Sequence, residues 1–141
     1  MTVALDTSAA VPYLMASHVA HRVTRRHLRG RALVLTGHSL VETYSVLTRL
    51  PRDARVSPPD AVRLIEANFG EPAILEPDEA ASVPQLLAPL GIAGGATYDA
   101  LVALAARASS LPLATRDTRA ATTYVALGIE VDLIGDPAGY A

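Results

Sequence analysis

The sequence contains no cysteine. That removes disulfides and thiolate metal sites, and it fits a reducing compartment. It contains no lysine either, so all twelve basic residues are arginine, the side chain suited to bidentate contact with phosphate or carboxylate. No apolar run approaches the roughly 20 residues that span a bilayer. Asp6 interrupts the first apolar stretch before it could serve as a leader segment. The flexible loop Gly91-Ile92-Ala93-Gly94-Gly95-Ala96-Thr97 lacks the glycine spacing and the following basic–hydroxyl pair of a phosphate-binding loop. A soluble cytoplasmic chain without disulfide, membrane segment or nucleotide loop is therefore expected.

What is present is an apolar chain of 141 residues, half of them hydrophobic. This is enough to bury the core of one domain, expected over 1–141. The net charge of −2 does not indicate a protein that coats nucleic acid, but charge is unevenly placed. Residues 22–63 hold nine of the twelve arginines and only three acids, Glu42, Asp53 and Asp60. Arg22, Arg25, Arg26 and Arg29 recur at i, i+3, i+4 and i+7, one face of a helix. They form either a solvated face or a surface for phosphate or carboxylate groups.

Strands and helices alternate along the chain. Val3-Ala4-Leu5 is a buried strand ending at Asp6, and Thr7 to Ala16 is a helix. His18 to Arg29 is a second helix, with Val19, Val23 and Leu28 inward, and 32–35 a second strand. A third helix runs from Ser39 to Leu50, with Leu40, Tyr44 and Leu47 as its stripe and Ser39-x-x-Glu42 as a capping box. A fourth, from Ser57 to Asn68, makes a hairpin with it whose apolar faces exceed the needs of one small core. Then come a short strand at 73–75, a helix from Asp78 to Leu87, and an apolar helix from Asp99 to Ala108. A strand at 111–114, a helix from Asp117 and a last strand at 130–134 complete the pattern. It predicts an α/β fold, a parallel sheet of four to five strands with helices on both faces.

Parallel strands point one way, so residues that follow them share an edge, where open α/β sheets place ligands. Asp6 and Asp117 follow strands directly, and Glu42 follows one after a short turn. Together with Asp99 they predict a carboxylate cluster. Each aspartate taken alone has a plainer reading as a helix N-cap. Clustering is not needed for capping, and like charges repel unless a cation or shared protons compensate. Four oxygen ligands suit a hard cation such as Mg2+ or Mn2+, not zinc. The histidines show no zinc-helix spacing; His38, beside the Glu42 turn, reads first as a surface histidine.

The order and context of these acids carry a family resemblance. Leu5-Asp6-Thr7-Ser8-Ala9, Glu42 early in the third helix, and Tyr98-Asp99-Ala100-Leu101-Val102-Ala103 are its first parts. Ala114-Thr115-Arg116-Asp117, Arg119-Ala120 and the Y-x-x-L-G-I-x-V run at 124–131 complete it. Over nearly the whole chain this resembles the PIN-domain ribonucleases, most of all the VapC toxins of bacterial toxin–antitoxin pairs. The resemblance implies a Rossmann-like sheet, a homodimer, Mg2+- or Mn2+-dependent RNA cleavage and inhibition by a VapB-type antitoxin. It implies Asp6, Glu42, Asp99 and Asp117 as metal-binding and catalytic acids, Ser8 and Thr115 as supporting hydroxyls, and the third/fourth helix hairpin as a dimer and antitoxin surface. The alternative is a non-catalytic α/β domain whose acidic pocket takes a regulatory cation and which acts by partner binding. A receiver-like site of that kind has no use for a glutamate from the third helix.

Overall fold

The computed structural model describes residues 1–135; the final six of the expected 1–141 domain lie outside the described residues. Four parallel strands, β1 (Thr2–Leu5), β2 (Ala32–Leu35), β3 (Leu113–Thr115) and β4 (Val131–Leu133), form one sheet in the order β2-β1-β3-β4. Leu5 pairs with Leu35 on one side and with Ala114 on the other, and Thr115 pairs with Leu133. The chain leaves β1 toward one edge and later returns to the other. The crevice where the order reverses lies between the carboxyl ends of β1 and β3, the usual ligand position in such sheets.

Alternation along β1 assigns its residues to two cores. Val3 and Leu5 join α1 (Thr7–Leu14), α3 (Gly37–Thr48) and α4 (Pro58–Asn68) through Ala9, Leu14, Leu47 and Ile65. Ala4 faces α6 (Val83–Leu87), α7 (Ala96–Ala108) and α8 (Thr118–Ala126), meeting Leu87, Ala103 and Tyr124. Period-two side-chain direction requires this split. Each fully buried leucine adds about 2 kcal/mol of hydrophobic stabilisation. The alanines of α7 let that helix lie close to the sheet: Ala100, Ala103, Ala105 and Ala106 are all buried.

Four local expectations are corrected. The helix expected from His18 starts at His21 as α2 (His21–His27), because the His18 ring accepts the Ala20 N–H at 3.0 Å and turns the chain. Val19 is left 95% exposed. Residues 73–75 make only a single bridge, Ala73 to Thr36; Pro72 has no N–H to extend the ladder. The helix expected from Asp78 to Leu87 is two, α5 (Pro77–Ala81) and α6, since Pro84 has no N–H to bond the carbonyl of Ala80. Finally, the capping box of α3 is Thr36 with Ser39, not Ser39 with Glu42. The Thr36 hydroxyl accepts the Ser39 N–H at 3.2 Å, and the Ser39 hydroxyl accepts the Thr36 N–H at 2.9 Å. Glu42 is thereby released from capping.

The register of α3 gives it three faces. Ser39, Thr43 and Leu47 are buried; His38, Glu42 and Val46 line one cleft; Leu40, Val41 and Tyr44 line another. The second cleft is the hairpin groove, about 630 Å3, closed on its far side by Val62, Ile65 and Phe69 of the α4 arm. It realises the expected apolar excess, and Tyr44, expected within the core stripe, stands in it instead. Among the described residues no helix is long and apolar enough to cross a membrane.

The Thr36–Ser39 box is buried, so Thr36→Ala is expected to destabilise the protein by about 1–2 kcal/mol in urea unfolding. Glu42→Gln should stay within about 0.5 kcal/mol of the parent. The reverse ranking would restore the Ser39–Glu42 box.

Candidate carboxylate site

Asp6 is 5% exposed and fully engaged. As N-cap of α1 its Oδ1 accepts the Ala9 N–H at 3.1 Å and the Ser8 hydroxyl at 2.6 Å. Its Oδ2 accepts the Tyr124 hydroxyl at 2.8 Å. Burial pushes the Asp6 carboxyl up, against the opposing pull of hydrogen bonds from Ser8, Thr115, Tyr124 and the Ala9 N–H. Burial and the adjoining Asp6 charge also push the Tyr124 hydroxyl up, so it remains a donor.

Ser8 and Thr115 join the ends of β1 and β3. The Ser8 hydroxyl accepts the Arg116 N–H at 2.8 Å, the Thr115 hydroxyl accepts the Asp117 N–H at 3.0 Å, and the two hydroxyls lie 3.2 Å apart. Asp117 caps α8 through Oδ1, which accepts the Arg119 and Ala120 N–H groups at 2.9 and 3.1 Å. Its Oδ2 lies 3.9 Å from the Arg119 guanidinium. Glu42 accepts a hydrogen bond from the Thr7 hydroxyl on one oxygen. Asp99 is not an N-cap: α7 begins at Ala96 with Gly95 as cap, which places Asp99 within the first turn.

The fold thus brings Asp6, Glu42, Asp99 and Asp117 to one cleft of about 240 Å3, with Ser8, His38, Tyr98, Arg119 and Tyr124 also in its lining. The acids sense one another. Burial first, then the charges of Asp117 and Asp6, push the Asp99 carboxyl up; Arg119 opposes and Glu42 adds to the rise. Capping and clustering therefore coexist at Asp6 and Asp117, because each cap uses one face of the carboxylate.

A hard cation fits the chemistry of this donor set: all oxygen, four acids, and carboxylate oxygens of Asp117, Glu42 and Asp99 not engaged by any hydrogen bond among the described residues. No three His, Asp or Glu side chains among the described residues are gathered tightly enough to enclose an ion by themselves.

The arginine stripe lies elsewhere. Arg22, Arg25 and Arg26 are exposed on α2, Arg29 is exposed in the turn beyond its end, so the expected four-residue helix face is not completed, and none lines the cleft. Arg25 is occupied with Tyr13, its guanidinium 4.0 Å from the ring centroid and its Nε donating to the Tyr13 carbonyl at 2.9 Å. Arg119 is the arginine at the acids. In the sequence it stands only as part of the Arg119-Ala120 motif, and its place two residues after Asp117, inside the cap, is the signal that puts it at the site. Tyr98 and Tyr124 are further cleft residues that no local pattern assigns to the site, although Tyr98 precedes Asp99 and Tyr124 opens the 124–131 run.

The class of domain to which this cleft belongs is identified by sequence. Residues 3–125 match the PIN domain model, and the chain belongs to the PIN-domain family. Its VapC character comes from a curated relative, Ribonuclease VapC27 of Mycobacterium tuberculosis, 49% identical over 91% of this chain and 93% of that one. Two solved structures share the fold. M. tuberculosis VapC20, described as a sarcin–ricin loop cleaving toxin, gives a TM-score of 0.66 at 17% identity, covering 85% of this chain and 93% of that one. VapBC-5 of M. tuberculosis, a member of the VapBC family of toxin–antitoxin systems, gives 0.60 at 20% identity over 94% and 98%.

Repulsion at Asp99 has a pH signature. An acid raised in the folded state adds stability below its ordinary value of 3.8 and loses it as pH climbs through the raised value. At neutral pH in chelator, Asp99→Asn should melt above the parent, and the gap should close as pH falls toward 3.8. A lower melting temperature would mean that Asp99 is a structural support.

Proposed function

We propose that this chain is an endoribonuclease, the toxin of a toxin–antitoxin pair, acting in the cytoplasm on RNA phosphodiesters. The observation that carries this reading is the convergence of Asp6, Glu42, Asp99 and Asp117 on one cleft. The 49% identity to a protein named a ribonuclease supports it. The four acids are assigned to Mg2+ or Mn2+, which supplies charge neutralisation at the phosphate and a more acidic water.

The chain's own residues do the positioning. Ser8, Ala9 and Tyr124 fix Asp6 from three directions, so it cannot swing away when substrate enters. The α8 N-terminus fixes Asp117 and leaves its second oxygen toward Arg119. Glu42 is steered by Thr7. Arg119, exposed at the rim, meets the RNA backbone and positions it without reading sequence. Hydrolysis leaves a 5′-phosphate and a 3′-hydroxyl.

A VapB-type antitoxin is the assigned inhibitor. The apolar groove of the α3–α4 hairpin suits both a homodimer contact and an antitoxin segment, and the exposed Arg22, Arg26 and Arg29 suit acidic or phosphate groups. The reading of a non-catalytic cation pocket is less well supported, because Glu42 reaches the cleft from α3.

The parent chain should cleave single-stranded RNA with Mg2+ or Mn2+ and stop in EDTA. Asp6→Asn and Asp99→Asn should each lose more than about a hundredfold in rate, beyond the cost of an outer-shell change, with circular dichroism unchanged. A folded variant that cuts at the parent rate would refute the assignment.

A further inference from the structure

The rings of His38 and Tyr98 stand nearly parallel, 15° apart in plane with centroids separated by 5.3 Å. Both line the carboxylate cleft. Two helix starts put them there. His38 lies one turn ahead of Glu42 in α3, and Tyr98 directly precedes Asp99 in α7. The ring pair therefore abuts the acids contributed by both helices.

Neither side chain makes a hydrogen bond among the described residues, and Tyr98 is 57% exposed. Tyr124, in the same cleft, is buried with its hydroxyl committed to Asp6. Tyr98 has no such structural duty. An open aromatic face beside a carboxylate cluster does nothing for the cluster's charge, and it leaves apolar surface in water. It does match a flat π-ligand brought in by a phosphodiester chain.

We propose that Tyr98, backed by the His38 ring, is a stacking platform for one unpaired base of the RNA, the base flanking the phosphodiester at the acids. This rests on the ribonuclease reading and defines its substrate class as single-stranded RNA or a loop. Stacking accepts any base, since every base has a π-face. A base inside a duplex already stacks on both neighbours and offers no free face, whereas loops and ends do. The platform thus selects for unpaired structure and leaves base identity to other contacts. His38 is a positioning residue here, holding the plane of the Tyr98 ring.

The test uses short single-stranded RNAs carrying 2-aminopurine at successive positions, bound to full-length Asp6→Asn protein in Mg2+. One position should be quenched. Adding Tyr98→Leu should abolish that quench and weaken binding about tenfold, the scale of one lost base–aromatic stack; adding Tyr98→Phe instead should preserve it. In the otherwise parental chain Tyr98→Leu should raise KM about tenfold while kcat stays within about twofold, on the same stacking scale. A quench that survives Tyr98→Leu, or RNA binding with no quenched position, overturns the platform. Absence of RNA binding overturns it as well. RNA cleavage that is indifferent to Tyr98 defeats the platform and leaves the ribonuclease reading standing. A Tyr98-dependent quench in a protein whose parent cuts no RNA defeats the ribonuclease reading and leaves the platform.

Discussion

The buried carboxylate of Asp6 is the joint on which the carboxyl edge of the sheet depends. It ends β1, caps α1 and accepts the hydroxyl of Tyr124 from α8. One side chain thus ties the crossover on one face of the sheet to the crossover on the other. Burying a carboxylate without partners would be costly, and the three hydrogen bonds are what make its position tolerable. Ser8 and Thr115 extend the same network to the backbone of Arg116 and Asp117. The geometry of β3's exit is therefore set by the residue that ends β1.

Around this joint the fold separates rigid from repelling parts. Asp6 and Asp117 are each held by helix-terminal N–H groups, which fix the direction of their carboxylates. Asp99 has no such partner; burial raises its carboxyl as it raises that of Asp6, and at Asp99 the charges of Asp117 and Asp6 add to the rise. Among the described residues, Arg119 is the cation that opposes this rise at Asp99. The cluster is pre-organised at two corners and electrostatically unsatisfied at a third.

Much of this was legible in the sequence because parallel topology converts strand ends into spatial neighbours. Asp6 and Asp117 could be placed by that rule alone, and the helix alternation fixed which edge they share. Glu42 could be placed only loosely, since Ser39-x-x-Glu42 offered a complete local explanation. What released it was Thr36, a strand-end residue that starts the helix two positions earlier. Asp99 is displaced for a similar reason: an aspartate invites an N-cap assignment, but Gly95, four residues earlier, takes that position. The periodic arginines of α2 drew attention because spacing is visible in sequence. Arg119 did not, because its relevance comes from the cap of Asp117 and the fold around it. His38 and Tyr98 lie sixty residues apart in sequence, and no local pattern announces a stacked pair.

The twelve-residue α3 carries two liquid-facing walls of different character. His38, Glu42 and Val46 belong to the acid cleft, while Leu40, Val41 and Tyr44 belong to the hairpin groove. A short, capped helix moves as a unit. Anything that rolls or slides α3 on seating in the groove must displace Glu42 and the His38 ring, with no need to enter the cleft. Thermodynamic linkage makes that coupling reciprocal: RNA held in the cleft would change the affinity of the groove for its own occupant by the same factor.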